Sequence, residues 1–142
     1  MKKRAQRGLK DRILEEMTTE YTNVLEKSFE TAPRFIRVTP EGKVDVLLKD
    51  KLTGKENIQL YLIGKLYAKV AGLAPAEDVG NKELVNELGI PMGSLLPWLK
   101  TLRDSRKIIA VKRGKYTNHI ISLNMIERIL KSIDEKMAEE GR

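Results

Sequence analysis

Two helical patterns separated by a glycine constrain the fold of this chain most strongly. The first covers Leu84–Leu88 and places three apolar side chains on one helical face. Gly89 follows directly, at a position where a helix often ends with positive φ, and Ile90 is predicted to pack between the helices. The second pattern has apolar residues at spacings of three, one and three, which is again one helical face: Leu95, Trp98, Leu99 and Leu102.

A basic β-hairpin is predicted directly after the second helical pattern. Ile108–Val111 is rich in β-branched residues, and Tyr116–Leu123 has the same character. Between them lies Lys112–Lys115, a short basic segment that contains one glycine. The sequence therefore predicts helix, short turn, helix and hairpin in that order.

This order of elements resembles the winged-helix family, over about residues 55–123, with the hairpin as the wing. The resemblance implies a mainly α fold with small β-hairpins: a winged helix-turn-helix. It also implies a DNA-binding transcription regulator of prokaryotic or archaeal type. Winged helices also serve as protein-docking modules, so the fold alone does not decide between these functions.

The distribution of charge favours a polyanionic partner. The 142 residues carry a net charge of +7. Residues 1–12 contain six basic side chains and one acidic side chain, and residues 100–115 contain seven and one. The remainder of the chain is net acidic. The basic excess is therefore concentrated in an N-terminal arm and in the second helix with its wing, whereas an ordinary solvated surface mixes signs.

In the family's docking mode, the second helix enters the major groove and the wing contacts the DNA backbone. Carried onto this chain, the predicted DNA-binding residues are Ser94, Lys100, Thr101, Arg103, Arg106, Lys107, Lys112, Arg113 and Lys115, with Lys2, Lys3 and Arg4 of the arm. Asn, Gln and Arg, which can read bases through paired hydrogen bonds, are absent from the positions of the second helix that face the groove: Met92, Gly93, Ser94, Leu96, Pro97, Lys100 and Thr101. Contacts to phosphate with modest sequence preference are one explanation. Two alternatives concern Met92, Leu96 and Pro97. These residues either form an exposed patch that docks a protein partner, or they pack within the chain itself.

Outside the winged-helix region, the sequence predicts a basic arm over 1–8 and an amphipathic helix over 9–31. A hairpin over 34–50 follows, with a Thr39–Gly42 turn. On its second strand, alternation places Val44, Val46 and Leu48 on one face. The helical stripe of 9–31 either packs on the winged-helix domain or is shared with a second chain.

Several helix boundaries are predicted from capping residues. Thr53 and Glu56 form a capping-box pattern that opens a helix ending near Gly72. Residues 76–79 are predicted to form a short strand that pairs with the wing, and Asn81 is the expected N-cap of the next helix. Ser94 is the expected N-cap of the second helix, over about 94–106. That start places Pro97 in the first turn, where a missing N–H is harmless.

Residues 124–142 predict a C-terminal helix that begins near Met125, with Asn124 and Glu127 as its expected cap. Its apolar stripe has spacings of four, three and four. The stripe either packs on the same domain or forms a dimer seam with the N-terminal helix, and we favour a homodimer. The residues of the stripe are Ile126, Leu130, Ile133 and Met137.

The sequence offers little for catalysis, so we expect no enzyme, no cofactor and no metal site. The chain has no cysteine and one histidine, His119, which is expected at the surface or beside a phosphate. No apolar run reaches the length of a membrane span, and the N-terminus lacks the apolar segment of a signal peptide. We therefore expect a cytoplasmic protein that binds double-stranded DNA, or alternatively a winged-helix adaptor that docks a protein of the transcription or replication machinery.

Overall fold

The computed structural model describes residues 8–16 and 21–141. The fold is mainly α with two small antiparallel β-hairpins, as predicted. The predicted arm residues Lys2, Lys3 and Arg4 lie outside the described residues. In chain order the elements are α1 (Leu9–Glu16), α2 (Tyr21–Lys27), β1 (Ile36–Val38), β2 (Val44–Val46), α3 (Gly54–Val70), α4 (Asn81–Leu88), α5 (Met92–Asp104), β3 (Ile108–Arg113), β4 (Tyr116–Ile121) and α6 (Ile126–Glu140).

Helix α3 is the centre of the core. Ten of its 17 residues are buried, and α4, α5, α6 and both hairpins pack around it. Its start has both hydrogen bonds of the predicted capping box: Glu56 N–H donates to Thr53 Oγ1 at 3.1 Å, and Thr53 N–H donates to Glu56 Oε1 at 2.9 Å. The helix ends at Val70, and Gly72 follows with a φ of 78°.

The β1–β2 hairpin lies against α3 at Gly64. The turn forms as predicted, with Gly42 N–H donating to Thr39 O at 2.8 Å. Val44 and Val46 lie buried on one face, but the prediction that Leu48 shares this face is wrong. The strand ends at Val46, and Leu48 adopts a left-handed φ of 60° that turns its side chain to solvent.

The predicted N-terminal helix is described in two parts, because residues 17–20 lie outside the described residues. The predicted end at Thr31 is wrong, since α2 ends at Lys27 and residues 28–31 form turns before Pro33. Leu25 is buried against the core, and Tyr67 Oη of α3 donates to its carbonyl oxygen at 2.8 Å. Leu9 and Ile13 of α1 and Phe29 after α2 are exposed, so the predicted stripe is only partly covered.

Helix α6 packs its apolar stripe on its own domain. Ile126, Leu130 and Ile133 are each at most 1% exposed, and Met137 is half-buried against the same core. The prediction that these residues form a dimer seam is therefore wrong: the core of the same chain already covers them. The cap prediction is also wrong, because a 3-10 turn over Leu123–Met125 leads into the helix and no side chain caps it.

Candidate nucleic-acid interface

The turn between α4 and α5 begins at Gly89, as predicted, but it is shorter than predicted because α5 already starts at Met92. Gly89 adopts a left-handed φ of 69°, and its N–H donates to Val85 O at 2.9 Å, which ends α4. Ile90 is 7% exposed and packs in the core, as predicted. Asn81 is not the N-cap of α4. Gly80 holds that position with no side-chain cap, and Asn81 is the first helical residue.

The start of α5 differs from the prediction. Pro91 is the N-cap, and its carbonyl oxygen accepts the N–H groups of Ser94 at 3.0 Å and Leu95 at 2.9 Å. Ser94 is therefore inside the helix, and Pro97 lies beyond the first turn. The helix tolerates Pro97 because it stands on the exposed face, where water can bond the carbonyl group that lacks its usual N–H partner.

Helix α5 has one buried and one exposed face. Leu95, Leu99 and Leu102 are each at most 1% exposed and anchor the helix in the core. Trp98 is half-buried and lies against Gly54 at the start of α3, where a Cβ atom would collide with the indole ring. The face away from this core is solvent-exposed over Met92, Gly93, Leu96, Pro97, Lys100 and Thr101.

The wing, which is the β3–β4 hairpin, follows α5 after a short turn. Its register pairs Ile108 with Ile121 at the base and Arg113 with Tyr116 at the tip. Gly114 adopts a left-handed φ of 64° in the tip turn, as a tight two-residue connection requires. Lys112 and Lys115 are exposed there and form no ion pair with any residue that the structure describes.

The third basic residue of the wing tip is held by a carboxylate. Arg113 donates through Nε and Nη2 to the two carboxylate oxygens of Asp78, at 3.0 and 2.9 Å. Asn118 Nδ2 donates to the same carboxylate at 2.8 Å. The Arg113 guanidinium holds the pKa of Asp78 down at about 2, so the pair is charged at neutral pH. This network fixes the wing to the segment before α4.

The same segment also pairs with the wing through the backbone. Val79 and His119 exchange both backbone hydrogen bonds, at 2.9 and 2.8 Å, in an isolated antiparallel bridge. The predicted short strand before α4 therefore exists as a single bridge residue. It joins the helix-turn-helix and the wing into one unit.

The expectation that His119 is at the surface is wrong. Its side chain is 2% exposed, and its Nε2 lies 2.7 Å from Asn81 Oδ1. Because that oxygen only accepts, Nε2 carries the proton, and Nδ1 is a buried nitrogen with no hydrogen-bond partner among the described residues. Burial, together with the positive charge of Arg103, lowers the pKa of His119 to about 4. His119 is therefore a neutral structural group at physiological pH.

We expect His119 to make the fold acid-sensitive. An unfolded histidine titrates near 6.5, so the unfolded chain binds a proton first as the pH falls. The stabilisation is complete above pH 6.5 and decreases by about 3 kcal/mol down to pH 4. Urea unfolding at both pH values will measure the change in the free energy of unfolding. In the His119→Gln variant this part of the pH dependence disappears, and equal pH profiles for both proteins would contradict the assignment.

The remaining basic residues of the prediction lie in different surroundings. Lys100 is exposed and pairs with Asp104 at 2.9 Å. Arg103 and Arg106 line a groove of about 570 Å³ beside β3. Lys107 lines a separate cavity between α3, α5 and α6. The structure thus places the wing-tip cations together and distributes the other four over the end of α5.

The exposed face of α5 has few free groups for reading bases. Thr101 Oγ1 donates to Pro97 O at 3.1 Å, so its proton is engaged within the helix. Ser94 is half-buried. Lys100 is the longest hydrogen-bonding side chain on this face. The exposed face of α5 is therefore better suited to contacting phosphates than to reading bases. Met92 and Leu96 add apolar surface to the same face.

Sequence reasoning missed Asp78, Asn118 and Asn81 as residues that position this surface. Asp78 holds Arg113, Asn118 donates to the same Asp78 carboxylate, and Asn81 holds His119. Their partners lie 35 to 40 residues away in sequence, so no local spacing reveals them. One signal was available: Asp78 lies within residues 76–79, the segment predicted to pair with the wing hairpin that contains Asn118.

Comparison with protein-family models, with curated proteins and with solved structures found no match to this chain. Within the described residues, no group of three or more His, Asp or Glu side chains is placed to hold a metal ion. No helix in that part of the chain is long and apolar enough to cross a bilayer.

Proposed function

We propose that this protein binds double-stranded DNA as a winged-helix transcription regulator, largely through phosphate contacts. The observation that carries the proposal is the solvent-exposed face of α5, followed directly by a wing whose tip presents Lys112 and Lys115. A helix of this width fits the major groove, and the wing lysines then reach the phosphate backbone. The sparse base-reading groups on α5 favour modest sequence preference.

Lys112 and Lys115 at the wing tip, which pair with no carboxylate in the described part of the chain, are expected to contribute most of the binding. Arg113 and Lys100 already have carboxylate partners, so each must exchange Asp78 or Asp104 for a phosphate. Such an exchange gains less than a new contact, because one ion pair replaces another. Lys112 and Lys115 exchange only water.

Fluorescence anisotropy of a labelled random duplex, at low and at physiological salt, tests the proposal. Binding that weakens steeply with salt is the expected result, because neutralised phosphates release counterions. Absence of binding at low salt, despite the net charge of +7, would contradict it. The homodimer remains a prediction, although the α6 residues proposed for its seam are buried in their own chain. Sedimentation of the free protein will test whether the protein is a dimer.

A second function is favoured by the apolar surface of α5. Met92 and Leu96 are 43% and 49% exposed, and one helical turn separates them on the same face. In this reading the helix docks on a protein of the transcription or replication machinery instead of DNA. Localisation to the cytoplasm is part of both proposals.

We expect Leu96→Asp to separate the two functions. The side chain already faces solvent, so the fold should be retained, with a change in unfolding free energy within about 0.5 kcal/mol. On the docking reading, a complex recovered by affinity purification with the wild-type chain is lost with the variant. Val70→Asp, at an exposed apolar position on α3, is the control. Recovery of the same complex with Leu96→Asp would contradict docking through this face.

A further inference from the structure

A cavity of about 380 Å³ lies between the start of α3, the end of α5 and α6, apart from the wing tip. Its volume falls within the range of about 300–1,000 Å³ that is usual for small-molecule sites. Leu102, Ile129 and Ile133 form apolar walls, and each of these side chains is also part of the core. The cavity can therefore pack the uncharged part of a ligand.

Gln59 is a largely buried polar residue that lines this cavity. The residue is 4% exposed, and its side chain forms no hydrogen bond to any residue that the structure describes. The amide atoms of Gln59 are not among the fully buried polar atoms that lack a partner, so they are open to the cavity and its water. A glutamine amide offers donor and acceptor side by side. It is therefore suited to a ligand group that also has both, such as the edge of a heterocyclic base.

The cavity is also electropositive. Lys55, Lys107 and Arg128 line it, and none of them pairs with a carboxylate among the described residues. The one acidic side chain in the lining, Glu56, is already neutralised by Lys136, with 2.8 Å between Nζ and Oε1. Three cations without a carboxylate partner, beside one ion pair that is already formed, favour an anionic ligand group.

Thr53 lies at the edge of the cavity, beside the carboxylate of Glu56. Its Oγ1 accepts the Glu56 N–H in the capping box, and its hydroxyl also interacts with the Glu56 carboxylate. The hydroxyl lies at the N-terminus of the 17-residue helix α3, whose dipole also favours negative charge. This contribution adds to the three cations and does not depend on them.

We propose that this cavity binds a phosphate-bearing small molecule of nucleotide size, with its phosphate at Lys55, Lys107 and Arg128 and its uncharged part against Gln59. The site goes beyond the proposed DNA binding. Its test avoids Lys107 and Thr101, which belong to the predicted DNA surface.

Isothermal titration calorimetry with the four nucleoside 5′-monophosphates, with inorganic phosphate and with adenosine tests the site. We expect at least one monophosphate to bind at least tenfold more tightly than phosphate or adenosine alone. Arg128→Gln should weaken that binding about tenfold, and Gln59→Leu should remove the preference among bases. Lys131→Gln, an exposed change on the same helix, is the control for lost charge.

Three outcomes would overturn the proposal. The first is that no monophosphate binds, and the second is that inorganic phosphate binds as tightly as the nucleotides. The third is that Arg128→Gln has the same affinity for the monophosphate as Lys131→Gln. A further measurement separates this site from DNA binding. If Arg128→Gln weakens duplex binding as much as changes at the wing tip do, the cavity is part of the DNA surface and the proposal fails. If Gln59→Leu does not fold, Arg128→Gln and its control still decide the result.

Discussion

We expect the double change of Lys112 and Lys115 to glutamate to weaken binding of a random duplex by about 100-fold at low salt. Both side chains are exposed at the wing tip without a carboxylate partner among the described residues. Reversal removes two phosphate contacts and adds two repulsive charges, each worth about 1 kcal/mol or more near a phosphate. The slope of log affinity against log salt should decrease by about 2. Anisotropy titrations across salt concentrations measure both quantities.

The control for this experiment is the other hairpin. Arg37 and Lys43 are exposed in and beside β1 and β2, so changing both to glutamate gives the same net charge. If general attraction to the polyanion accounts for binding, the two double variants will lose equal affinity. A much larger loss at the wing supports the proposed docking mode. Unchanged affinity in the wing variant would exclude the wing as a DNA contact.

The second large effect is expected for Gly64→Ala, with a loss of about 2 kcal/mol in the free energy of unfolding. A Cβ atom at this position would meet Val44 Cγ1 at 2.5 Å and Ile36 Cγ2 at 2.8 Å. Both neighbours are buried and β-branched, so neither can rotate away easily. The collision costs up to about 3 kcal/mol, whereas alanine gains about 1 kcal/mol in helix propensity. Urea unfolding measures the difference.

Gly93→Ala is the matched comparison, since it makes the same change in a helix where nothing lies within 4 Å of the new methyl group. We expect that variant to be as stable as the wild type or slightly more stable, because only the propensity gain operates. Equal stability of the two alanine variants would contradict the close packing of the β1–β2 hairpin on α3.

Local signals predicted much of the fold. The Thr53 and Glu56 pair, the Thr39–Gly42 turn and Gly89 each determine backbone geometry within a few residues, and all three have the predicted form. The start of α5 was predicted wrongly at Ser94, because a serine before an apolar pattern is a cap signal in any context. The structure instead uses Pro91 and accepts Pro97 within the helix.

Long-range partners could not be predicted. The burial of His119 depends on Val79 and Asn81, which approach it only after the chain has folded back. The α6 stripe has the same periodicity whether it covers its own core or a second chain, so spacing alone could not decide. The cavity beside Gln59 combines side chains from α3, α5 and α6, and no motif joins them in sequence.

The bridge at Val79 and the contacts of Arg113 with Asp78 leave the wing little freedom before any partner arrives. A surface loop that orders only in a complex gives up conformational entropy at that moment, and its affinity is lower by that amount. In this protein the wing is already ordered when the free chain folds. The proposed recognition surface is therefore largely preformed, so a partner would have to fit the shape that the free protein already has.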